Sequence, residues 1–299
     1  MAATTTPRIV VGIDDTPASA TGVKYAALES QRLGAELDIV HATPGYGDLH
    51  GDVPLVDDQT LAAFGHKLLR DAEVLARSMA PNLSVRSTLK SGGAVTTLVD
   101  SAQGALMLVL GAEPRSFVGR IWTGDVVGGA AARSHCPVVV VAPEWDPGEE
   151  RGRILVGVKS PGAARELLAA GLDLAHDCKA ELVVMHAWKL MSGYDDIVAN
   201  RADSDEYGRR VTSEIEPVIN ELRQAHPEVA VRIEVLHVQA AYALTRASAD
   251  ADRMLISRPE HGTVLHHLGP VARAVLHEAR CPVEILPPPS AATPDHATT

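Results

Sequence analysis

A chain of 299 residues with 46% apolar and 22% charged side chains has the balance of a soluble globular protein and the length for two ordinary domains, each able to bury a core without metal or disulfide. A net charge of −11 with 3% aromatic residues excludes a general nucleic-acid binder, since phosphates are repelled and few rings are available for base stacking. No run approaches the roughly 18 apolar residues of a membrane span, the start MAATTTPRIV has no basic stretch leading into an apolar one, and Cys136, Cys178 and Cys281 form no CxxC pair, so a cytoplasmic, reducing location is expected.

Along the chain, short β-branched runs alternate with longer helical patterns. Strands are predicted near Arg8 to Ile13, Glu36 to Ala42, Leu83 to Leu89, Leu106 to Leu110 and Val138 to Ala142. Between them Ala18 to Leu33, Asp58 to Met79, Val95 to Ala102 and Asp125 to Ser134 read as helices, with Leu61, Phe64, Leu68, Leu69 and Leu75 at helical spacing. The stretch Pro143 to Gly152, rich in Pro, Gly and acid, reads as a surface linker. Then the pattern starts again. At an offset of 145 residues, RIVVGID from Arg8 meets RILVGVK from Arg153, and AELDIVHA from Ala35 meets AELVVMHA from Ala180. After one-residue shifts, SVRSTL from Ser84 meets AVRIEV from Ala230, and HCPVVVV from His135 meets RCPVEIL from Arg280. Such a period is a duplicated domain, being far longer than the roughly 20 to 50 residues of a stacked repeat. We therefore expect domains over 1–144 and 151–287 and a disordered tail over 288–299.

Strand, helix, strand in succession implies parallel pairing with right-handed crossovers and helices on both faces. The expected fold class is α/β, two tandem doubly wound five-stranded parallel-sheet domains. Ligands in such sheets sit beyond the carboxyl ends of the strands where the winding reverses, which directs attention to the loops after strands one and four. VGIDDT places Asp14 and Asp15 at the end of the first strand, and GAEPRSFVGRIWTGDVV, Gly111 to Val127, is a glycine-containing loop feeding a helix start. A loop of that kind offers N–H groups and a positive helix end to phosphate, and a carboxylate opposite it can accept hydrogen bonds from a ribose or base. The plainer readings are that Asp14 caps or closes a turn and that the glycines only punctuate the loop. His41 and His186 hold equivalent strand positions and are expected to be framework residues with a backbone hydrogen bond. HGTVLHH, His261 to His267, reads as a solvated loop, and no metal ligand set is recognised by spacing.

VGIDDT, VHA at His41, LVLGAEP and CPVVVV, answered in the second half by VGVKSP, MHA, LISRPE and CPVEIL, resemble the universal stress protein family, once per half. The resemblance implies an adenine nucleotide alpha hydrolase-like fold with strand order 3-2-1-4-5, pairing of the fifth strands between the halves, and a plausible further homodimer. It also implies ATP binding in one branch of the family and none in the other. The nucleotide-binding branch carries an Asp after strand one and Gly, two residues, Gly, nine residues, Gly and Ser or Thr after strand four. Carried onto this chain, the first-half site comprises Gly12, Asp14, Ala42, Gly111, Gly124, Asp125 and Val126. Pro114 replaces the middle glycine, which removes an N–H and fixes φ. Asp125 replaces the hydroxyl residue, and its charge repels a phosphate by about 1 to 4 kcal/mol at about 4 Å. Arg115 and Arg120 in the same loop are candidates to offset that repulsion, and Mg²⁺ on ATP is a candidate to recruit Asp125.

The corresponding second-half set is Gly157, Ser257, Arg258 and Gly269, and it departs further. Lys159 replaces the Asp, Ser257 the first glycine, and Pro270 the hydroxyl residue. Lys159 and Arg258 offer an anion site or, the plainer reading, salt bridges with Glu or Asp across the interface. Three functions stay open: a regulator binding ATP or a related adenine nucleotide in its first half, an interaction protein of the same fold without the ligand, and a slow ATP hydrolase. The crevice residues supply no evident nucleophile with its base, so an enzyme is not expected. Glu284 lies in the fifth strand of the second half. Pointing to solvent it leaves the pairing undisturbed, and pointing inward it challenges that pairing.

Overall fold

A computed structural model describes residues 6–43, 58–112, 126–189, 204–258 and 268–288. The first half runs β1 (Arg8–Ile13), α1 (Ala18–Leu33), β2 (Glu36–Thr43), α2 (Asp58–Met79), β3 (Val85–Ser91), α3 (Ala94–Ser101), β4 (Met107–Gly111), α4 (Val126–Arg133) and β5 (Val138–Val141). The second repeats it as β6 (Arg153–Gly157), α5 (Arg165–Cys178), β7 (Glu181–Trp188), α6 (Ser204–Leu222), β8 (Val231–His237), α7 (Ala240–Ala247), β9 (Arg253–Ser257), α8 (Pro270–Glu278) and β10 (Val283–Leu286). The predicted bounds of β1, α1 and α2 coincide with those observed. Strand β3 starts two residues later than predicted, because the N–H of Leu83 is taken by Ala80 O at 3.1 Å in the turn that closes α2. The tail beyond 288 and the stretch His261 to His267 lie outside the described residues.

All ten strands form one sheet in the order β3-β2-β1-β4-β5-β10-β9-β6-β7-β8. Each half thus has the expected 3-2-1-4-5 order. Within a half the described pairings are parallel. The halves join antiparallel through their fifth strands, with Val283 opposite Val140, Glu284 opposite Val139 and Ile285 opposite Val138. Because these two edges satisfy each other, a homodimer of the chain would need another surface. Helices α3, α4, α7 and α8 cover one face in a single core that includes Leu108 and Val138 from the first half and Met254 and Val283 from the second. On the other face α1 and α2 cover the first half, and α5 and α6 the second. The linker is exposed at most positions, but Trp145 packs edge-on against Tyr25 of α1 at 5.3 Å between ring centroids.

Glu284 points inward, and the pairing it was expected to challenge persists. Its carboxylate and that of Glu29 on α1 flank the buried Arg253 of β9, at 3.3 Å and 3.0 Å. The guanidinium also lies 5.2 Å from the ring centroid of Tyr25. Two carboxylates and an aromatic face thus supply what water would have given a buried cation. Burial alone would raise the pKa of Glu29, but Arg253 and Arg32 outweigh it and the pKa is lowered. For Glu284 burial prevails over the attraction of Arg253 and its pKa is raised. Arg32, bonded to Glu29 at 2.7 Å, reaches Asp177 of α5 at 2.8 Å, a partner 145 residues away. Arg32 and Asp177 are therefore equivalent positions of the repeat meeting on the axis that relates the halves.

At the repeat offsets, Glu29, Arg253 and Glu284 correspond to Leu174, Met107 and Val139, all buried and apolar. Removing the cation strands two carboxylates, so Arg253→Ala is expected to cost about 3 to 5 kcal/mol in urea unfolding. Making the trio apolar with Glu29→Leu, Arg253→Met and Glu284→Val is expected to recover most of that loss, because a packed apolar set carries no desolvation penalty.

Candidate functional site

The winding reverses between β1 and β4. From β1 the chain passes to β2 and β3 on one side, then returns across to β4 on the other. Val11 is opposite Val109 in this parallel pair, so Asp14 and Ala112 leave the sheet side by side. The floor of the crevice is tied together by His41, whose Nδ1–H donates to Ile13 O at 2.8 Å. His186 does the same to Val158 O at 3.0 Å in the second half. Both histidines are the framework residues expected.

Asp14 is exposed and closes a turn at the head of α1. Its Oδ1 accepts the Thr16 N–H at 3.0 Å, the Thr16 hydroxyl at 2.6 Å and the Ser19 hydroxyl at 2.7 Å. The Ser19 oxygen in turn accepts the Asp14 N–H at 2.8 Å. Those three bonds fall on one carboxylate oxygen, which orients the group while Oδ2 makes none of them. Gly111, the last residue of β4, lets α1 approach: a Cβ there would sit 2.0 Å from Ala18 O. Gly12 does the same for α3, since a Cβ would lie 2.7 Å from a Leu98 methyl. Both glycines thus have a packing reason to be glycine. Ala42, half-buried on β2, pairs with Lys90, and Val126 opens α4 half-buried. Pro114, Arg115, Arg120, Gly124 and Asp125 lie outside the described residues. The structure therefore brings Gly12, Asp14 and Gly111 together where β1 and β4 lie side by side.

The second half uses the same positions differently. Gly157 is buried in β6, Lys159 is exposed just beyond it, and Ser257 is exposed at the end of β9. Gly269 precedes α8 with φ −62° and ψ 163°, and Pro270 is the first helical residue, where its missing N–H costs nothing. Arg258 corrects the expectation of a carboxylate partner. It does cross to the other half, but its Nη1 donates to Ala131 O at 3.2 Å and Ser134 O at 3.0 Å. Those are carbonyls at the C-terminal end of α4, where the helix leaves acceptors unpaired and its dipole favours a cation. Burial lowers the pKa of Arg258.

Beyond the carboxyl ends of β7 and β8 lies a ring cluster that the sequence reading did not single out. Trp188 sits 4.2 Å from the Tyr207 centroid and 4.1 Å from that of His237. Arg210 lies over Tyr207 at 4.9 Å, and the Tyr207 hydroxyl bonds His186 Nε2 at 3.2 Å. Trp188 pairs with His237 in the sheet just as Thr43 pairs with Ser91 in the first half. Where the first half presents two small hydroxyl residues, the second presents rings packed at a tilt. The signal was available in the repeat register, as a Trp aligned with a Thr, but scattered aromatics carry no periodic pattern.

A sequence profile described as the Universal stress protein family matches residues 5–142 and again residues 150–287. Universal stress protein Rv2623 of Mycobacterium tuberculosis (strain ATCC 25618 / H37Rv) is 29% identical over 290 residues, spanning 92% of this chain and 94% of that protein. Universal stress protein Rv2005c of the same strain is 26% identical over 285 residues, spanning 92% and 95%. Among solved structures, a universal stress protein from Archaeoglobus fulgidus DSM 4304 shares the fold with a TM-score of 0.70 at 14% identity, covering 94% of this chain and 96% of that one.

The contact between α1 and β4 sets the wall of the first crevice and can be tested directly. Gly111→Ala must push α1 away and is expected to lower stability by about 1 to 3 kcal/mol in chemical denaturation. Gly162→Ala, where a Cβ meets nothing within 4 Å, is expected to stay within about 0.5 kcal/mol of the parent.

Proposed function

The chain belongs to the universal stress protein family, and on that premise we propose that it is a regulator whose first half alone binds an adenine nucleotide, with Mg²⁺·ATP the first ligand to test. The observation that carries this reading is the inequality of the two crevices. The first keeps an oriented carboxylate, Asp14, beside the end of β4, with small residues at the ends of β2 and β3. The second has a lysine in place of the acid, rings at the ends of β7 and β8, and its arginine committed to carbonyls of the other half. In the first half Asp14 Oδ2 would accept from a ribose hydroxyl, and the head of α4 at Val126 would face the phosphates with its positive end. Arg115 and Arg120 would supply the cations opposing the triphosphate charge.

In this reading the site binds and does not turn over. Ser19 is hydrogen-bonded to a carboxylate, and the His41 Nδ1–H is directed at a backbone carbonyl, so neither forms a nucleophile and base pair in the described part of the crevice. The triple engagement of Asp14 Oδ1 favours a second reading, an interaction protein in which this acid only closes a turn.

Calorimetric titration of the purified chain with ATP, ADP and cyclic AMP, after denaturation and mass spectrometry to identify any carried ligand, separates the two. Saturable heat with one of these ligands is expected. Asp14→Asn keeps an oxygen for the Thr16 N–H but removes the charge, and should weaken binding about tenfold or more, the loss of one charge-assisted hydrogen bond. Lys159→Ala should leave the affinity unchanged. No released ligand and no heat would establish the interaction-protein reading, and phosphate release abolished by Asp14→Asn would establish a hydrolase.

A further inference from the structure

We propose that the second half carries a binding site for a divalent transition ion, with Zn²⁺ the best match, at the junction of α5 with the turn after α6. One ring nitrogen each of His176 and His226 and one carboxylate oxygen of Glu228 lie within 4.8 Å of one another, and no other trio of His, Cys, Asp or Glu converges so among the described residues. Two imidazoles and a carboxylate, completed by water, are a ligand set that suits zinc. The site draws on chain segments far apart in sequence, since His176 is in the last turn of α5 while His226 and Glu228 follow α6.

The groups around the trio are arranged as supports. The rings stack at 4.2 Å with 28° between their planes. His226 Nε2 bonds Asp173 Oδ1 at 2.9 Å, one turn before His176 on α5, while His226 Nδ1 is buried and has no hydrogen-bond partner. A carboxylate fixing one nitrogen and leaving the other free is how ligating histidines are oriented and made more basic. His176 Nδ1 meets Glu228 Oε1 at 2.5 Å, two potential ligands drawn together where a cation would otherwise hold them. At metal–ligand distances of about 2.0 to 2.1 Å, tetrahedral ligand atoms stand about 3.3 Å apart. The contact must therefore open slightly and the trio close from its present spread. Side-chain rotation allows it, since His176 and Glu228 are 47% and 57% exposed.

The framework itself does not ask for these residues. At the repeat offsets the first half has Leu28, Gln31, Ala80 and Asn82 in place of Asp173, His176, His226 and Glu228. Yet it closes the same turn, with Leu83 N–H on Ala80 O at 3.1 Å matching Val229 N–H on His226 O at 3.2 Å. Asp177, the residue after His176, is the partner of Arg32 across the halves, so the site adjoins the contact that joins them.

The test uses the full chain stripped with a chelator and dialysed. Zn²⁺ is titrated in competition with a chromophoric chelator, and Co²⁺ reports the ligand field through its visible absorption. Uptake of one equivalent is expected, and weaker uptake in acid, because an imidazole must be neutral to ligate. His176→Asn and Glu228→Gln, both at exposed positions, should each weaken Zn²⁺ at least tenfold and change the Co²⁺ spectrum while circular dichroism stays that of the parent. A double variant, His266→Asn with His267→Asn, should change neither readout. No uptake by the parent, or uptake that His176→Asn leaves intact, would overturn the proposal and reduce the cluster to two imidazole–carboxylate pairs.

Discussion

The buried cation Arg253 holds the two halves in their relation. It rises from a central strand of the second half into a space walled by α1 of the first, and its charge is met there by Glu29 and Glu284 and by the face of Tyr25. Ion pairs of this kind add little net stability over a packed apolar set, because desolvation consumes most of the attraction. Their effect is discrimination. With Arg253 in place the only low-energy neighbour is a surface that brings acids to the same point, and α1 of the first half is such a surface.

The axis between the halves makes the same point in a different way. In a dimer of identical domains any residue on the twofold axis faces its own copy, so a charged residue there meets like charge. Fusion into one chain allowed the two copies to diverge, and Arg32 now faces Asp177. The apolar counterparts Leu174, Met107 and Val139 stand where the second set of charges would have been. A junction with one set of charges is therefore complementary only between unlike halves. The fifth-strand edges of the halves are joined, and a single core runs beneath four helices from both.

Division of labour follows from that divergence. Residues spent on joining the halves are not available for a ligand, and Arg258 is the clearest case: a candidate anion contact in sequence, it neutralises the end of α4 instead. In the first half the comparable strand end stops at Gly111, whose missing side chain admits α1 and leaves Asp14 at the crevice. The ring cluster around Trp188 and the histidines in the last turn of α5 and after α6 belong to the second half alone. A fold doubled by duplication can thus put equivalent positions to different uses in its two copies.

The amino-acid sequence by itself determined the architecture, because architecture rests on patterns that repeat. The offset of 145 residues, the strand and helix alternation and the bounds of β1, α1 and α2 needed only local periodicity and turn chemistry. Resemblance added the strand order and the pairing of fifth strands. The roles of His41 and His186 followed from their equivalence in the repeat. What only the tertiary structure decided were partnerships between residues far apart in the chain. Whether Glu284 was tolerable depended on Arg253 and Glu29, which no pattern links to it. The carbonyl partners of Arg258 belong to a helix of the other half, and His176 meets Glu228 across 52 residues. Charge, ring and ligand pairing act over a few ångströms in space with no fixed spacing in sequence, so they became legible only once the sheet had set which helix ends and strand ends stand together.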